Sequence, residues 1–177
     1  MAYKNRILMK KLITPIITLL VFVSIVVILM LSLAKNKQMV VVYEGNLEKK
    51  PIEIKLGIFQ DSDCGMVIET IEYASQVIAD DGKTWFFHDH GGMVNWLKDK
   101  SFKDRVKIYA YSKDTKRWID GRGAWYSLRD ITPMEYGFGA YEKRKKGFVD
   151  FETMSLKMLR GENMSNPVVR KRLLLEK

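Results

Sequence analysis

The feature that most constrains the fold of this chain is an uncharged run from Leu12 to Ala34. In helical form these 23 residues are about 34 Å long, which is enough to cross the hydrocarbon core of a bilayer. Basic residues precede the run and acidic residues do not, which by the positive-inside rule keeps this flank in the cytoplasm. We therefore expect residues 1–37 to form a basic flank and a membrane anchor, with the remainder of the chain exported.

A secretory signal peptide is the alternative interpretation of this segment, because Ser32-Leu33-Ala34 offers small residues to a signal peptidase. The hydrophobic region of a signal peptide is typically about 7–15 residues long, which is shorter than this run. We therefore favour an uncleaved, single-pass anchor in the inner (cytoplasmic) membrane, with a C-terminal domain that is extracytoplasmic or periplasmic.

The net charge of +9 comes mainly from the anchor region, where six of the 30 Lys and Arg residues lie without any acidic residue. From Gln38 onward the chain has 24 basic and 21 acidic residues, a balance that does not indicate nucleic-acid binding. The most basic stretch of this part is Lys143-Arg144-Lys145-Lys146. It is most simply a solvated turn, and contact with phospholipid headgroups is the alternative.

The exported part is expected to belong to the α+β class. Strands predicted at 73–79 and 84–88 flank a polar turn with Asp-Gly at its centre, which is typical of a β-hairpin. A helix is predicted over 89–100, with its leading Asp as the N-cap, and an alternating strand follows at 106–111. These elements form a first ββαβ-like unit at about 61–112.

The same order of elements is predicted a second time at about 116–161. Two strands between 118 and 142 precede a helix over 150–160. A last strand is not evident in this unit, and the tail at 162–177 fits a strand, a short helix or a frayed end. The expected architecture is thus an N-terminal transmembrane helix followed by two small ββαβ-like units, which together span residues 61–160.

The segment 38–60 is expected to be a tether and a leading strand. Apolar residues alternate with polar or small residues from Ile52 to Ile58, which is typical of a strand with one buried face. Pro51 marks the start of this predicted strand.

Cys64 is the only cysteine, so the chain cannot form an internal disulfide. Met66 lies two residues further on, and on an extended strand both sulfur atoms would point to the same face. A thiolate and a thioether are soft ligands, which favour Cu(I) over zinc, magnesium or calcium. The alternative is that Cys64 is a small hydrophobic residue buried in the core.

The two histidines of the chain are His88 and His90, and on a strand this spacing puts both side chains on one face. Three interpretations are open. Either histidine completes a copper site with Cys64 and Met66, or the pair forms a separate site for a harder metal. The third interpretation is a polar helix start that Asp89 caps.

Three short blocks between about Asp61 and Arg160 resemble the NosL family, the accessory proteins of nitrous oxide reductase. The first block is Cys64-Gly65-Met66. The second and third blocks are Trp85-Phe86-Phe87 with Gly92-Met93, and Gly123-Ala124-Trp125-Tyr126 with Pro133-Met134 and Gly137. The blocks follow one another in the order that the family has, over a little more than half of the chain.

This resemblance implies two small ββαβ units and an extracytoplasmic Cu(I)-binding chaperone that supplies the catalytic cluster of nitrous oxide reductase. It further implies that Cys64 and Met66, with Met134, are copper ligands. Asp61 stands where many relatives have a first Cys, so a site with two thiolates is excluded. The candidates for the third ligand are Met134, His88 and His90.

We expect the protein not to be an enzyme. A Cys/His hydrolase would use Cys64 as nucleophile, His88 or His90 as base and Asp89 as the orienting group, but Cys-Gly-Met offers no helix N-terminus to activate the thiol. The expected function is delivery of Cu(I) to nitrous oxide reductase or another copper-receiving protein. The alternative is a metal-free, membrane-anchored module that helps to assemble a respiratory complex.

Overall fold

Apolar side chains make up the centre of the first helix, α1 (Ala2–Lys35). The computed structural model describes residues 2–35 and 39–175. Within α1 the segment Pro15–Leu33 is long and apolar enough to cross a membrane, and none of it is buried inside the protein. An apolar helix that exposes its side chains is more stable in a bilayer than in water. A signal sequence has the same composition, so retention of the helix as an anchor stays a prediction.

The residues from Met39 onward form one compact unit, built around a five-stranded antiparallel sheet. Its strands are β1 (Val42–Tyr43), β2 (Ser75–Ile78), β3 (Thr84–Phe87), β4 (Lys107–Tyr111) and β5 (Trp118–Asp120). The order across the sheet is β1-β3-β2-β4-β5. Strand β2 is central and fully buried, and its Val77 pairs with Trp85 of β3 and Ile108 of β4. The predicted hairpin of β2 and β3 is therefore confirmed.

The other elements of this unit are α2 (His90–Leu97), β6 (Trp125–Tyr126), β7 (Ala140–Tyr141), α3 (Phe151–Leu159) and α4 (Pro167–Leu175). Strands β6 and β7 pair with each other, and α2 packs against β2, β3 and α3. The largest side chains of the main core are Phe87, Met93, Ile108, Tyr126, Phe138 and Met154. They come from both halves of the unit, so a single hydrophobic core joins the two halves.

Carboxylate caps begin the two helices that the sequence predicts. Asp89 Oδ1 accepts a hydrogen bond from Gly91 N at 2.9 Å at the start of α2. Asp150 Oδ1 accepts one from Thr153 N at 2.8 Å at the start of α3. Each cap satisfies a backbone donor that has no partner within its own helix, which confirms both predicted helix starts.

The second predicted ββαβ-like unit is found only in part, as the pair β6 and β7 followed by α3. Strand β5 joins the first sheet, where its Ile119 pairs with Ala110 of β4, and only β6 and β7 pair separately. The helix α4 follows α3, with Pro167 at its first position, where a missing N–H costs nothing. The structure is mixed α and β as expected, and the two-unit repeat within it is not confirmed.

The predicted strand between Ile52 and Ile58 is wrong. The side-chain amide of Gln76 takes the place of a neighbouring strand, because its Oε1 accepts from Ile52 N at 2.8 Å and its Nε2 donates to Ile52 O at 2.7 Å. The backbone is thus satisfied at its start without a ladder. Isolated bridges begin only beyond the predicted strand, from Phe59 to Val40 and from Gln60 to Val67.

Two adjacent glycines in the first turn of α2 allow a matched test of its packing. A Cβ on Gly91 would lie 2.5 Å from Cδ2 of Tyr136, whereas a Cβ on Gly92 would come no closer than 3.5 Å, to Asp63 Oδ2. Gly91→Ala should therefore lower the free energy of unfolding by about 1–3 kcal/mol through overpacking. Gly92→Ala should raise it by about 0.5–1 kcal/mol, because alanine favours the helix.

The measurement is denaturant unfolding of the full chain in detergent micelles, followed by tryptophan fluorescence. Equal stability of the two variants would contradict the close contact between α2 and Tyr136.

Candidate metal site

The segment Asp61–Met66 is a tight loop. Asp61 N donates to Met66 O at 2.8 Å, and Gly65 N donates to Asp61 O at 2.9 Å. Gly65 has φ +74°, a left-handed conformation that glycine adopts without strain. Cys64 lies in this turn with its side chain exposed. The extended geometry predicted for Cys64 and Met66 is therefore wrong, because the backbone reverses between them.

Asp61 lies at the centre of the loop and is 2% exposed. Its Oδ1 accepts from the backbone N–H groups of Asp63 at 2.7 Å and Cys64 at 3.1 Å. Its Oδ2 accepts from His88 N at 2.8 Å and lies 2.5 Å from His88 Nδ1. This one carboxylate therefore ties the loop to His88, the residue that follows β3.

These hydrogen bonds also determine the charge of Asp61. Burial alone would raise the pKa of its carboxyl group, but hydrogen bonds from the side chain and backbone of His88, and from the backbone of Cys64 and Asp63, outweigh burial and leave the pKa lowered. Asp61 is therefore ionised at neutral pH and can only accept hydrogen bonds.

An ionised Asp61 fixes the tautomer of a neutral His88. The proton lies on Nδ1, which faces the carboxylate, and Nε2 keeps its lone pair. Nε2 is buried and has no hydrogen-bond partner in the described part of the chain. A buried nitrogen with a free lone pair normally has a partner, so His88 presents an unused ligand atom.

Cys64 lies beside this histidine. Its Sγ is 3.9 Å from His88 Nδ1, and one ligand atom from each of Asp61, Cys64 and His88 lies within 4.8 Å of the other two. This spacing fits side chains around a single metal ion. Burial raises the pKa of the Cys64 thiol, and the negative charge of Asp61 adds to this effect. The thiol is thus protonated at neutral pH until something displaces its proton.

Met66 and His88 both line an open groove of about 470 Å³. The residues that line this groove are Met66, Val67, Glu69, Thr70, His88 and Pro133. Met66 is 45% exposed, so its thioether is accessible from solvent. His88 therefore lies close to Cys64 and lines the same groove as Met66, and these are the two sulfur residues that the sequence singles out.

Met134 lies at the edge of the same region. It is half-buried, and its backbone N donates to Asp89 Oδ2 at 3.0 Å, while the preceding Pro133 lines the groove. This contact brings the segment that contains Met134 next to His88 and Asp89. Its role as a ligand stays a prediction.

His90 lies in a different environment from His88. Because Asp89 caps α2, His90 is the first residue of a helix, and the predicted face shared by the two histidines on one strand does not exist. Its ring is fully buried and lies edge-on to Tyr126, with centroids 5.7 Å apart. Burial lowers the pKa of His90 to about 3. It is not part of the group of Asp61, Cys64 and His88.

Asp61 is the functional residue that sequence reasoning missed. It entered that reasoning only as a substitute for a cysteine, yet it positions both Cys64 and His88. A local signal was present, because Asp followed by Ser62-Asp63 and a glycine favours a turn in which the carboxylate accepts backbone N–H groups. The contact with His88 had no local signal.

Asp61 and Asp63 provide a matched pair of substitutions. In Asp61→Asn the new amide NH₂ faces donors from the loop or from His88, so we expect a loss of about 2–3 kcal/mol in the free energy of unfolding. Asp63 is half-buried, accepts one bond from Asn95 at 3.3 Å and has a pKa that burial raises. Asp63→Asn should therefore change stability by less than about 0.5 kcal/mol.

Unfolding of the full chain in detergent, monitored by tryptophan fluorescence, measures both changes. If Asp61→Asn is no more destabilising than Asp63→Asn, the central position of Asp61 in the loop is contradicted.

Comparisons of the chain with protein-family models, with curated proteins and with solved structures return no match.

Proposed function

We propose that this protein is a membrane-anchored, extracytoplasmic chaperone that binds one Cu(I) ion through Cys64, Met66 and His88 and delivers it to a copper-receiving protein. The observation that carries the proposal is the buried Nε2 of His88, which has no partner in the described part of the chain, on a ring whose Nδ1 lies 3.9 Å from Cys64 Sγ and which lines one groove with Met66. Cu(I) is the cargo of this site.

The donor set favours Cu(I) over Zn²⁺. Asp61 would suit zinc as an oxygen ligand, but its two oxygen atoms already accept hydrogen bonds from Asp63, Cys64 and His88. Its role is to orient the imidazole, as carboxylates commonly do for metal-binding histidines. Two sulfur atoms and one imidazole nitrogen remain, and this set is soft enough to select Cu(I).

The exposure of the sulfur residues suits transfer of the ion. Cys64 and Met66 are both exposed, and the groove that Met66 lines is open. A receiving protein can therefore approach and replace the donor's ligands one at a time. A single thiolate among the ligands favours release, since each additional thiolate would bind Cu(I) more tightly.

The same geometry disfavours the alternative of a Cys/His hydrolase. In such enzymes the nucleophile and the orienting carboxylate contact different nitrogens of the histidine. Here Cys64 Sγ and Asp61 Oδ2 both face Nδ1 of His88. The pKa of Cys64 is raised by burial, whereas a catalytic thiol needs a lowered pKa. These observations support a role without catalysis.

The resemblance to the NosL family supports nitrous oxide reductase as the recipient. Two of the three blocks that carry the resemblance contribute side chains to one groove, through Met66 and Pro133. Membrane attachment through α1 would keep such a chaperone at the surface from which exported enzymes emerge.

The test is a Cu(I) titration of the full chain in detergent under reducing conditions, with a chromophoric chelator as competitor. Cys64→Ser should weaken binding at least about 100-fold, and Met66→Leu and His88→Gln about 10–100-fold each, because each removes one ligand. Met39→Leu is the matched control, since Met39 is also an exposed methionine but does not line the groove. This control should bind Cu(I) as the unaltered chain does.

Two outcomes would contradict the proposal. Retention of full affinity by Cys64→Ser would remove the thiolate from the site and favour the metal-free assembly module. Tighter binding of Zn²⁺ than of Cu(I), with loss of zinc binding in Asp61→Asn, would make Asp61 a ligand and the site a zinc site.

A further inference from the structure

The loop between β7 and α3 concentrates positive charge on the surface. It consists of Lys143-Arg144-Lys145-Lys146-Gly147-Phe148, which we name the basic loop. All four cationic side chains are exposed. The loop is anchored at its start, where Lys143 N donates to Asp114 Oδ2 at 3.1 Å, and it is closed by a hydrogen bond from Phe148 N to Lys145 O at 3.1 Å.

The four cations of the basic loop form no ion pair within the described residues. The acidic residues that flank the basic loop in the sequence already have other partners. Glu142 pairs with Arg117, and Asp150 caps α3. Lys49 and Lys107, by contrast, do form ion pairs, with Asp80 and Asp120. Direct ion pairs with other described residues therefore do not neutralise the basic loop, and Arg144 has only a longer-range attraction to Asp150.

Two of the four cations form cation–π contacts with aromatic rings. Arg144 lies over the ring of Trp125 at 4.5 Å, and Lys145 lies over Tyr141 at 5.0 Å. The rings of Tyr141 and Phe148 pack at 4.6 Å. These contacts restrict where the charges lie, so less conformational entropy is lost when they meet an anionic partner. Cationic and aromatic side chains side by side are typical of surfaces at the membrane interface.

We propose that the basic loop docks on a surface of anionic phospholipid headgroups. The cavity next to it is open and lined by residues of the loop, so it fits an extended array of phosphates better than a single enclosed one. The chain itself carries a feature that brings it to a bilayer, because Pro15–Leu33 of α1 is long and apolar enough to cross one. The proposal rests on membrane insertion of α1 and is independent of copper.

The fluorescence of Trp125 reports whether the basic loop lies at the membrane surface, because the Trp125 ring is in contact with Arg144. The full chain is reconstituted in nanodiscs of phosphatidylcholine alone or mixed with phosphatidylglycerol, each with a headgroup spin-labelled lipid as quencher. The signal of Trp125 is the difference between the unaltered chain and Trp125→Phe. We expect at least about twofold stronger quenching in the anionic nanodiscs, and loss of the difference at high salt.

Two triple variants distinguish the effect of charge on the basic loop from the effect of the protein's net charge. Lys143→Gln, Lys145→Gln and Lys146→Gln together leave Arg144 on Trp125 and should abolish the difference between the lipids. The control variant loses the same charge at scattered exposed positions, Lys55→Gln, Arg160→Gln and Lys171→Gln, and should retain it. Denaturant unfolding measured in parallel verifies that both variants are folded, and this control does not depend on the proposed function.

Three results would overturn the proposal. The first is equal quenching in the two kinds of nanodisc. The second is equal loss of the difference in both triple variants, which would mean that net charge alone acts. The third is loss of the extra quenching in anionic nanodiscs when inorganic phosphate replaces chloride at constant ionic strength. This result would mean that the basic loop binds free phosphate and not lipid headgroups.

Discussion

Asp61 accepts hydrogen bonds from two parts of the chain that are 27 residues apart, the loop that contains Cys64 and the backbone and ring of His88. A buried carboxylate is costly unless donors surround it, so the loop and the end of β3 are held in one arrangement. In a neutral ring the same interaction places the proton of His88 on Nδ1, and Nε2 has no partner among residues 2–35 and 39–175. The proposed ligand set depends on this carboxylate, which the proposal does not count among the ligands.

Features with local causes were predictable from the sequence. The caps at Asp89 and Asp150, the hairpin of β2 and β3, and the long apolar helix α1 each depend on residues that are neighbours in the chain. The sequence also pointed to Cys64 and Met66 as soft ligands, because residue type alone determines that chemistry.

Features that depend on distant contacts were not predictable. The alternation from Ile52 to Ile58 indicated a strand, yet the side chain of Gln76, 24 residues beyond Ile52, satisfies the backbone there instead. The position of β5 beside β4 likewise follows from tertiary pairing and not from local pattern. The helix start at Asp89, which puts His90 in the core, was predictable, but the contact of His88 with Asp61 joins residues 27 positions apart and had no local signal.

X-ray absorption spectroscopy of the copper-loaded full chain tests the central claim most directly, because it identifies the atoms bound to the ion. The account predicts Cu(I) with sulfur ligands and one imidazole, and loss of the imidazole contribution in His88→Gln while the sulfur contribution persists. A coordination shell of oxygen and nitrogen atoms without sulfur would contradict it, as would an imidazole contribution that His88→Gln leaves unchanged.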